Sequence, residues 1–295
     1  MQGLILLDKP SGITSFKAVA SVRHLTGERR VGHTGTLDPM ATGVLPVLVG
    51  RATALSSFLL DGDKEYTAVI RTGIKTDTDD ITGNITATSD KTVSYEDMKA
   101  AVDKFTGVIS QRVPAYSAVK QNGVRLYDKA RNGEKVEAPL RTVTVYSAEL
   151  SDRLQDNEFE VKFSVSKGTY IRSLARDIGD FLGCGATLSS LTRTKASGFS
   201  LSDCTRLSDI SCENIGEVLR SEEEAVLHFK SVCVTEKQAV RFSNGGALSL
   251  DRVKLGGYED GEIYRVKYGE IFLGLGEVNI SSGELKTKCV INTLK

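Results

Sequence analysis

The chain opens with a short apolar run, "LILLD", that reads as a buried strand, and then changes period. In "TSFKAVASVRHL", Phe16, Val19, Ala20 and Val22 recur at helical spacing behind Thr14 or Ser15 as a cap. "VLPVLV" predicts another strand and "ATALSSFLL" a helix. "KEYTAVIRTG" alternates, which puts Tyr66, Ala68 and Ile70 on one side of a strand, and "TDTDDITGN" is a turn-rich connection. "YEDMKAAVDKF" has a helical pattern, whereas "RTVTVYSAEL" and "EFEVKFSVSKG" alternate as two long neighbouring strands. In "YIRSLARDIGDFL", Ile171, Leu174, Ala175, Ile178, Phe181 and Leu182 form one helical stripe, and Arg172 and Arg176, four apart, share another face.

The pattern changes near residue 200. "RLSDISCENIGEVLRSEEEAV" predicts an acidic helical connector, and from about Val232 short strands are punctuated by "NGG", "LGG", "EDGE" and "SSGE", the signature of a small all-β module of barrel type. At 295 residues the chain exceeds one usual domain, so two units are expected, 1–230 and 231–295. The longest apolar run is a few residues, far short of the roughly 20 that cross a bilayer, and Asp8 and Lys9 interrupt the first one too early for a signal peptide. Five scattered cysteines without a CxxC pair read as reduced thiols of a cytoplasmic protein. His24, His33 and His228 are equally dispersed and suggest no metal site.

Net charge is zero, from 38 basic and 38 acidic residues, but the charges are segregated. Residues 112–141 hold seven Lys or Arg against three acids, and 161–200 hold six against two. Residues 201–230 hold three bases against seven acids. Two basic stretches of this kind are candidates for an electrostatic footprint on a polyanion, provided that folding leaves the charges on the surface.

One carboxylate stands apart. Asp38 is the only acid between Glu28 and Asp61, and Gly32, Gly35, Pro39 and Gly43 surround it. A bare "LDP" is most simply a turn cap. A long loop rich in glycine and poor in bulky side chains, however, leaves both backbone and carboxylate accessible. "GHTGT" lacks the lysine and the spacing of a phosphate-binding loop.

The stretch "GHTGTLDPMATGVLPVLVG" resembles the signature of the TruB family of tRNA pseudouridine synthases. Three further stretches follow the family order: "LLDKPSGITS", "KEYTAVIRTGIKTDTDDITG" and "SKGTYIRSLARDIGDFLGCGATLSSLTR". Together they span most of residues 4–195, and the tail resembles a PUA-like RNA-binding module in its placement and its glycine-punctuated strands. The resemblance implies an α+β catalytic domain on a mixed, mainly antiparallel sheet, followed by a small β-barrel-like module. It implies that uridine at position 55 in the tRNA T loop is isomerised by breaking N1–C1′ and rejoining the uracil through C5. No group is carried in, so no cofactor or metal is implied.

By the same resemblance Asp38 is the catalytic nucleophile, toward sugar or base, and Arg172 pairs with it. Tyr66 stacks on the target base and assists a late proton removal. Tyr170 and Leu191 line the uracil pocket, and His33 fills the space that the flipped nucleotide leaves. Residues 112–141 would clamp the T arm. A stand-alone monomer, without membrane or obligate protein partner, is expected. Read from the residues alone, Tyr66 suits core packing equally well, a core role is the stronger alternative for Leu191, and Arg172 suits a helix surface. Two rival activities remain at this level: a tRNA-folding chaperone that needs no chemistry, and an N-glycosidase that releases free uracil.

Overall fold

The computed structural model describes residues 1–60, 62–117, 119–121, 123–131 and 138–294. Part of the 112–141 stretch (118, 122 and 132–137) therefore lies outside the described residues. The first unit is built from β1 (Gly3–Lys9), α1 (Ser15–Thr26), β2 (Val31–His33), β3 (Thr42–Val49), β4 (Lys64–Thr72), α2 (Tyr95–Lys104), β5 (Gly107–Arg112), β6 (Leu140–Gln155), β7 (Glu158–Val165), α3 (Ile171–Leu182) and β8 (Ala186–Ala196). The second contains β9 (Lys230–Cys233), α4 (Glu236–Ser243), β10 (Ile263–Tyr268), β11 (Ile271–Asn279) and β12 (Glu284–Val290).

Ten strands make the large sheet, in the order Thr205–Arg206, β1, β3, β8, β4, β7, β6, β5, with β2 added on β3 and Phe199–Ser200 on β8. Two pairings are parallel, β1 with Thr205–Arg206 and β3 with β8, and the others are antiparallel. This is the mixed, mainly antiparallel sheet that the resemblance implied. Helices α1 and α3 pack on one face, where Val19, Val22, Leu174 and Ile178 join Ile5, Leu45, Ala68 and Ile70 in the main core. On the other face, Leu4, Leu6 and Leu48 meet Phe272, Leu275 and Ile291 of the second unit. Being covered on both faces is why β1 and β3 read as unbroken apolar runs, whereas β7 has one open face and alternates. The second unit is a five-stranded sheet, β9-β10-β11-β12-(Leu248–Ser249), curled into a half-barrel. None of the described helices is long and apolar enough to cross a membrane.

Four sequence expectations change. Helix α1 buries Ser15, Ala18, Val19, Val22 and Thr26, so Phe16 and Ala20 lie outside its core stripe; Phe16 is 70% exposed. Thr14 supplies the cap, accepting from the amide of Lys17, which frees Ser15 for another task. Phe181 leaves the α3 stripe for the surface, edge-on to Phe105 and beneath the Lys104 ammonium. The acidic connector is a series of single turns with a helix only at Ile215–Val218, because its backbone pairs with β1 through Leu4 and Arg220. The all-β module contains α4, whose Ala239 and Phe242 fill the inside of the curled sheet.

The loop from Thr34 to Ala41 is fastened from beneath by three buried polar side chains. Ser15 donates to the Leu37 carbonyl at 3.0 Å and accepts from its amide at 2.8 Å. Lys9, fully buried, donates to the carbonyls of Pro10 (2.8 Å), Ile13 (2.8 Å) and Pro39 (3.3 Å). Arg193, also buried, donates to Val44 (2.7 Å) and Gly35 (2.9 Å). An ammonium offers three hydrogens, and here three carbonyls take them; an unpaired buried cation would be far more costly. Where the loop re-enters the sheet, Gly43 has φ +101°, and a Cβ there would lie 2.2 Å from the Arg193 carbonyl oxygen.

Gly43→Ala should therefore combine backbone strain with a clash, whereas Gly198→Ala (φ +84°, no neighbour within 4 Å) meets strain alone. In urea unfolding, Gly43→Ala is expected to lose about 1–3 kcal/mol more than Gly198→Ala, and equal losses would show that the close approach carries no weight. Burial, opposed by Asp38 and reinforced by Arg193, pushes the Lys9 ammonium down to about 8 from 10.5. Between those values the unfolded chain binds more protons than the folded one, so raising the pH favours the fold. Measured against Lys9→Met, wild-type stability should rise from about pH 8 to about 10.5 and stay flat below pH 8.

Candidate active site

Asp38 sits at the tip of the fastened loop, and a bidentate pair meets it from below. Arg172 Nε donates to one carboxylate oxygen at 2.9 Å and Nη2 to the other at 3.0 Å. The arginine side chain is 5% exposed and the aspartate 32%, so the cation is enclosed while the carboxylate opens outward. The same guanidinium donates to the carbonyls of Thr78 (2.9 Å) and Tyr116 (3.1 Å). Every nitrogen is thus engaged, and the planar fork cannot turn without breaking several charge-assisted bonds.

Two elements aim that arginine. It lies in the first turn of α3, and Gln111 at the end of β5 latches the turn by accepting from the Tyr170 amide (2.8 Å) and donating to the Tyr170 carbonyl (3.0 Å). The opposite wall is the "TDTDDITG" segment. Asp80, buried, accepts at one oxygen from Thr78 Oγ1, the Thr82 amide and Thr82 Oγ1, and turns the other toward Arg172 Nη1 at 3.7 Å. Asp79 holds φ +62°, and its carbonyl accepts from the Leu188 amide, which ties the segment to β8. Arg176 reaches Asp79 and Asp177, each at 2.9 Å. Burial pushes both of those carboxyls up, against the pull of Arg176.

The remaining candidates take separate places around this pair. His33 ends β2, with Nε2 3.2 Å from Thr36 Oγ1; burial, helped by Arg193, lowers its pKa and favours the neutral ring. Tyr66 projects on the same face of β4 as Ala68 and Ile70, opposite Arg193 on β8 and Phe163 on β7, and is partly exposed at the core's edge. Among the described residues it makes no hydrogen bond to the Asp38–Arg172 pair. Tyr170 immediately precedes α3, two residues before Arg172, packs against Val113, Leu126 and Ala138, and burial pushes its phenol up. Leu191 lies on β8 and is 6% exposed within the main core.

The reading of Arg172 as a surface charge fails, since the side chain is buried on Asp38. Of the six bases in the stretch 161–200, Lys162, Lys167 and Lys195 are exposed and three are drawn into the fold. Arg172 and Arg193 are internal and Arg176 is held by two aspartates, whereas Lys195 pairs with Glu65 at 3.3 Å on the surface. Sequence reasoning also passed over Lys9, Ser15, Gln111, Asp80 and Arg193. Only the doubled acid in "TDTDD" gave any signal, and turn chemistry accounts for such a string equally well. Among the described residues no group of three or more His, Cys, Asp or Glu is placed to hold a metal ion.

Comparison with known proteins places the chain in a family. Residues 23–171 match the N-terminal domain of the TruB family of pseudouridylate synthases, and residues 172–226 match the tRNA pseudouridylate synthase B C-terminal domain. The seam between the two matches falls at the start of α3, within one continuous sheet. The chain is 40% identical over 283 residues to tRNA pseudouridine synthase B of Trichormus variabilis, covering 94% of this chain and 95% of that one. It is 41% identical over 261 residues to the enzyme of the same name from Geobacillus thermodenitrificans (85% and 86%). Among solved structures, the chain in an archaeal box H/ACA sRNP Nop10–Cbf5 complex superposes with a TM-score of 0.74 at 25% identity, over 99% of this chain and 86% of that one. One in an H/ACA RNP bound to a substrate RNA containing 2′-deoxyuridine gives 0.75 at 24%, over 98% and 85%. Asp38, clamped by an enclosed arginine, thus stands on a loop of a chain whose sequence matches the family over residues 23–226 and curated relatives over nearly its whole length: this chain belongs to the TruB family of pseudouridylate synthases.

Proposed function

We propose that this protein isomerises uridine to pseudouridine at position 55 in the T loop of tRNA, with Asp38 as the nucleophile acting on a flipped-out nucleotide. The observation that carries the proposal is the bidentate Asp38–Arg172 pair, with its cation enclosed and its carboxylate open to solvent. The relatives named tRNA pseudouridine synthase B supply the RNA class. In the reaction the N1–C1′ bond breaks, the uracil turns, C5 bonds to C1′, and the C5 proton is lost while N1 gains one. The base never leaves, so one carboxylate suffices where a glycosidase uses two.

In this reading Arg172 is a positioning residue that fixes the direction of the Asp38 oxygens toward the reacting nucleoside. Tyr66 stacks on the uracil, Tyr170 and Leu191 bound its pocket, and His33 occupies the gap in the T loop. Base flipping costs a few kcal/mol, which interactions with the emptied loop offset. The unit 1–230 performs the chemistry and the stretch 112–141 clamps the T arm. The 231–295 module adds its own hold on the RNA, and the enzyme acts as a cytoplasmic monomer with no obligate protein partner.

A T-arm stem-loop tritiated at uracil C5 tests the reaction. Tritium release without free uracil supports the isomerase; free uracil indicates a hydrolase, and binding without either product indicates a pure RNA binder. Asp38→Asn should abolish release while still binding the stem-loop. Arg172→Lys keeps the charge but loses the fork, and the rate at saturating RNA should fall about 100-fold or more, the size expected when a reacting group is misplaced by an ångström. Near-wild-type turnover in either variant would overturn the assignment.

A further inference from the structure

The aromatic side chain that α1 withholds from the core has a setting of its own. Among the described residues Phe16 is the most exposed aromatic, at 70%. Its neighbours on the outer surface of α1 are Lys17, Ala20, Arg23 and His24, all exposed. Two more exposed arginines, Arg29 and Arg30, follow in the turn. From Thr14 to Arg30 there are four bases against one acid, Glu28. Among the described residues none of these four bases pairs with a carboxylate; Arg23 makes one long bond, 3.5 Å, to the Val31 carbonyl. They differ in this from Arg172, Arg176 and Arg193 of the 161–200 stretch, which are spent inside the fold.

The strip also has a fixed place relative to the site. The first turn of α1 is pinned at Leu37 through Ser15, and its last turn meets Val31 through Arg23. The helix therefore runs antiparallel to the segment Val31–Leu37, which carries His33 and ends one residue before Asp38. Arg30 is anchored by its backbone, its carbonyl accepting from the Gly50 amide at 2.8 Å. From Phe16 to Arg23 the axis spans about 10 Å at roughly 1.5 Å per residue.

We infer that the outer face of α1 and the turn after it form a second RNA-binding strip beside the catalytic loop, in which Phe16 stacks on an unpaired base of the substrate other than the target, and Lys17, Arg23, Arg29 and Arg30 hold the phosphates on either side. An exposed aromatic among unpaired cations is the pairing that single-stranded or looped RNA recognises, since every base has a π-face and every linkage a charge. A protein partner would leave four unpaired cations to be neutralised by acids it would have to supply, whereas an RNA strand brings that charge with it. The inference rests on the function proposed above.

The test uses an unmodified tRNA transcript and full-length protein, with binding measured over a salt series and single-turnover pseudouridine formation at saturating RNA. Phe16→Ser should weaken binding roughly tenfold, within the range found for removing a base–aromatic stack, and Phe16→Trp should restore it. Arg29→Ser with Arg30→Ser should weaken binding and make the slope of log K against log salt shallower by roughly 0.7–0.9 for each phosphate no longer neutralised. Saturated single-turnover rates and melting midpoints should stay at wild-type values, because these side chains lie on the surface. Wild-type affinity and slope in all variants, with wild-type protein still forming pseudouridine, would overturn the strip alone. Wild-type protein that neither binds the transcript nor modifies it would overturn the function and the strip together.

Discussion

The arrangement depends on a single enclosed guanidinium. A cation with 5% of its side chain open to solvent must have its charge answered and its donors filled, and Arg172 meets that requirement with two carboxylates and two carbonyls from three separate segments. Each partner is thereby fixed relative to the others. The loop of Asp38, the turn of Thr78 to Asp80 and the stretch at Tyr116 cannot drift independently without stranding a buried charge. The pair reads as a way of holding one oxygen still more than as a source of stability, since buried ion pairs seldom gain over apolar packing.

Positioning is repeated one layer further in. Lys9 and Arg193 spend their charges on backbone carbonyls of the loop, and Ser15 is used at Leu37 while Thr14 takes the conventional capping role. Backbone carbonyls in a glycine-rich loop have no ladder to join, and buried ones need donors from elsewhere. Long cationic side chains reaching from β1 and β8 meet that need, and they explain why so polar a segment can lie against an apolar core. The second unit enters the same scheme from the opposite face. Its Phe272 and Ile291 cover Leu4 and Leu48, and Glu223 in the connector receives Arg265 at 2.5 Å and Lys267 at 3.2 Å from the curled sheet. The strands that carry the loop's staples are thereby closed on both sides.

How legible this was from sequence varied with the range of the interaction. Alternation in "KEYTAVIRTG" and "EFEVKFSVSKG" gave β4 and β7, because period two is a local property. The α1 stripe was misjudged by one position: Phe16 and Ser15 compete for the inside, and a hydrogen bond to Leu37, 22 residues away, decides in favour of the polar one. Phe181 went the same way, taken by Phe105 and Lys104 on the surface. Asp38 was legible as the one acid in a long glycine loop, and Arg172 only through resemblance, because a separation of 134 positions leaves no local pattern. Asp80 was hidden by its own turn chemistry, its threonine partners at 78 and 82 being the residues any acidic turn would recruit.

Charge shows the same limit most clearly. A tally along the chain gives 161–200 four net positive charges and suggests a surface for a polyanion, yet the fold turns three of its six bases, Arg172, Arg176 and Arg193, inward to hold Asp38, Asp79 and the loop carbonyls. The stretch from Thr14 to Arg30 has a smaller excess, but its cations face solvent and, among the described residues, pair with no carboxylate. What a partner meets is the charge left over after the interior has been satisfied. In a protein whose 38 bases equal its 38 acids, an RNA-binding face must come from this partition, because the composition supplies no surplus. The Asp38 loop thus has cations on two sides, buried staples beneath it and exposed bases of α1 beside it. Burial alone distinguishes the two uses.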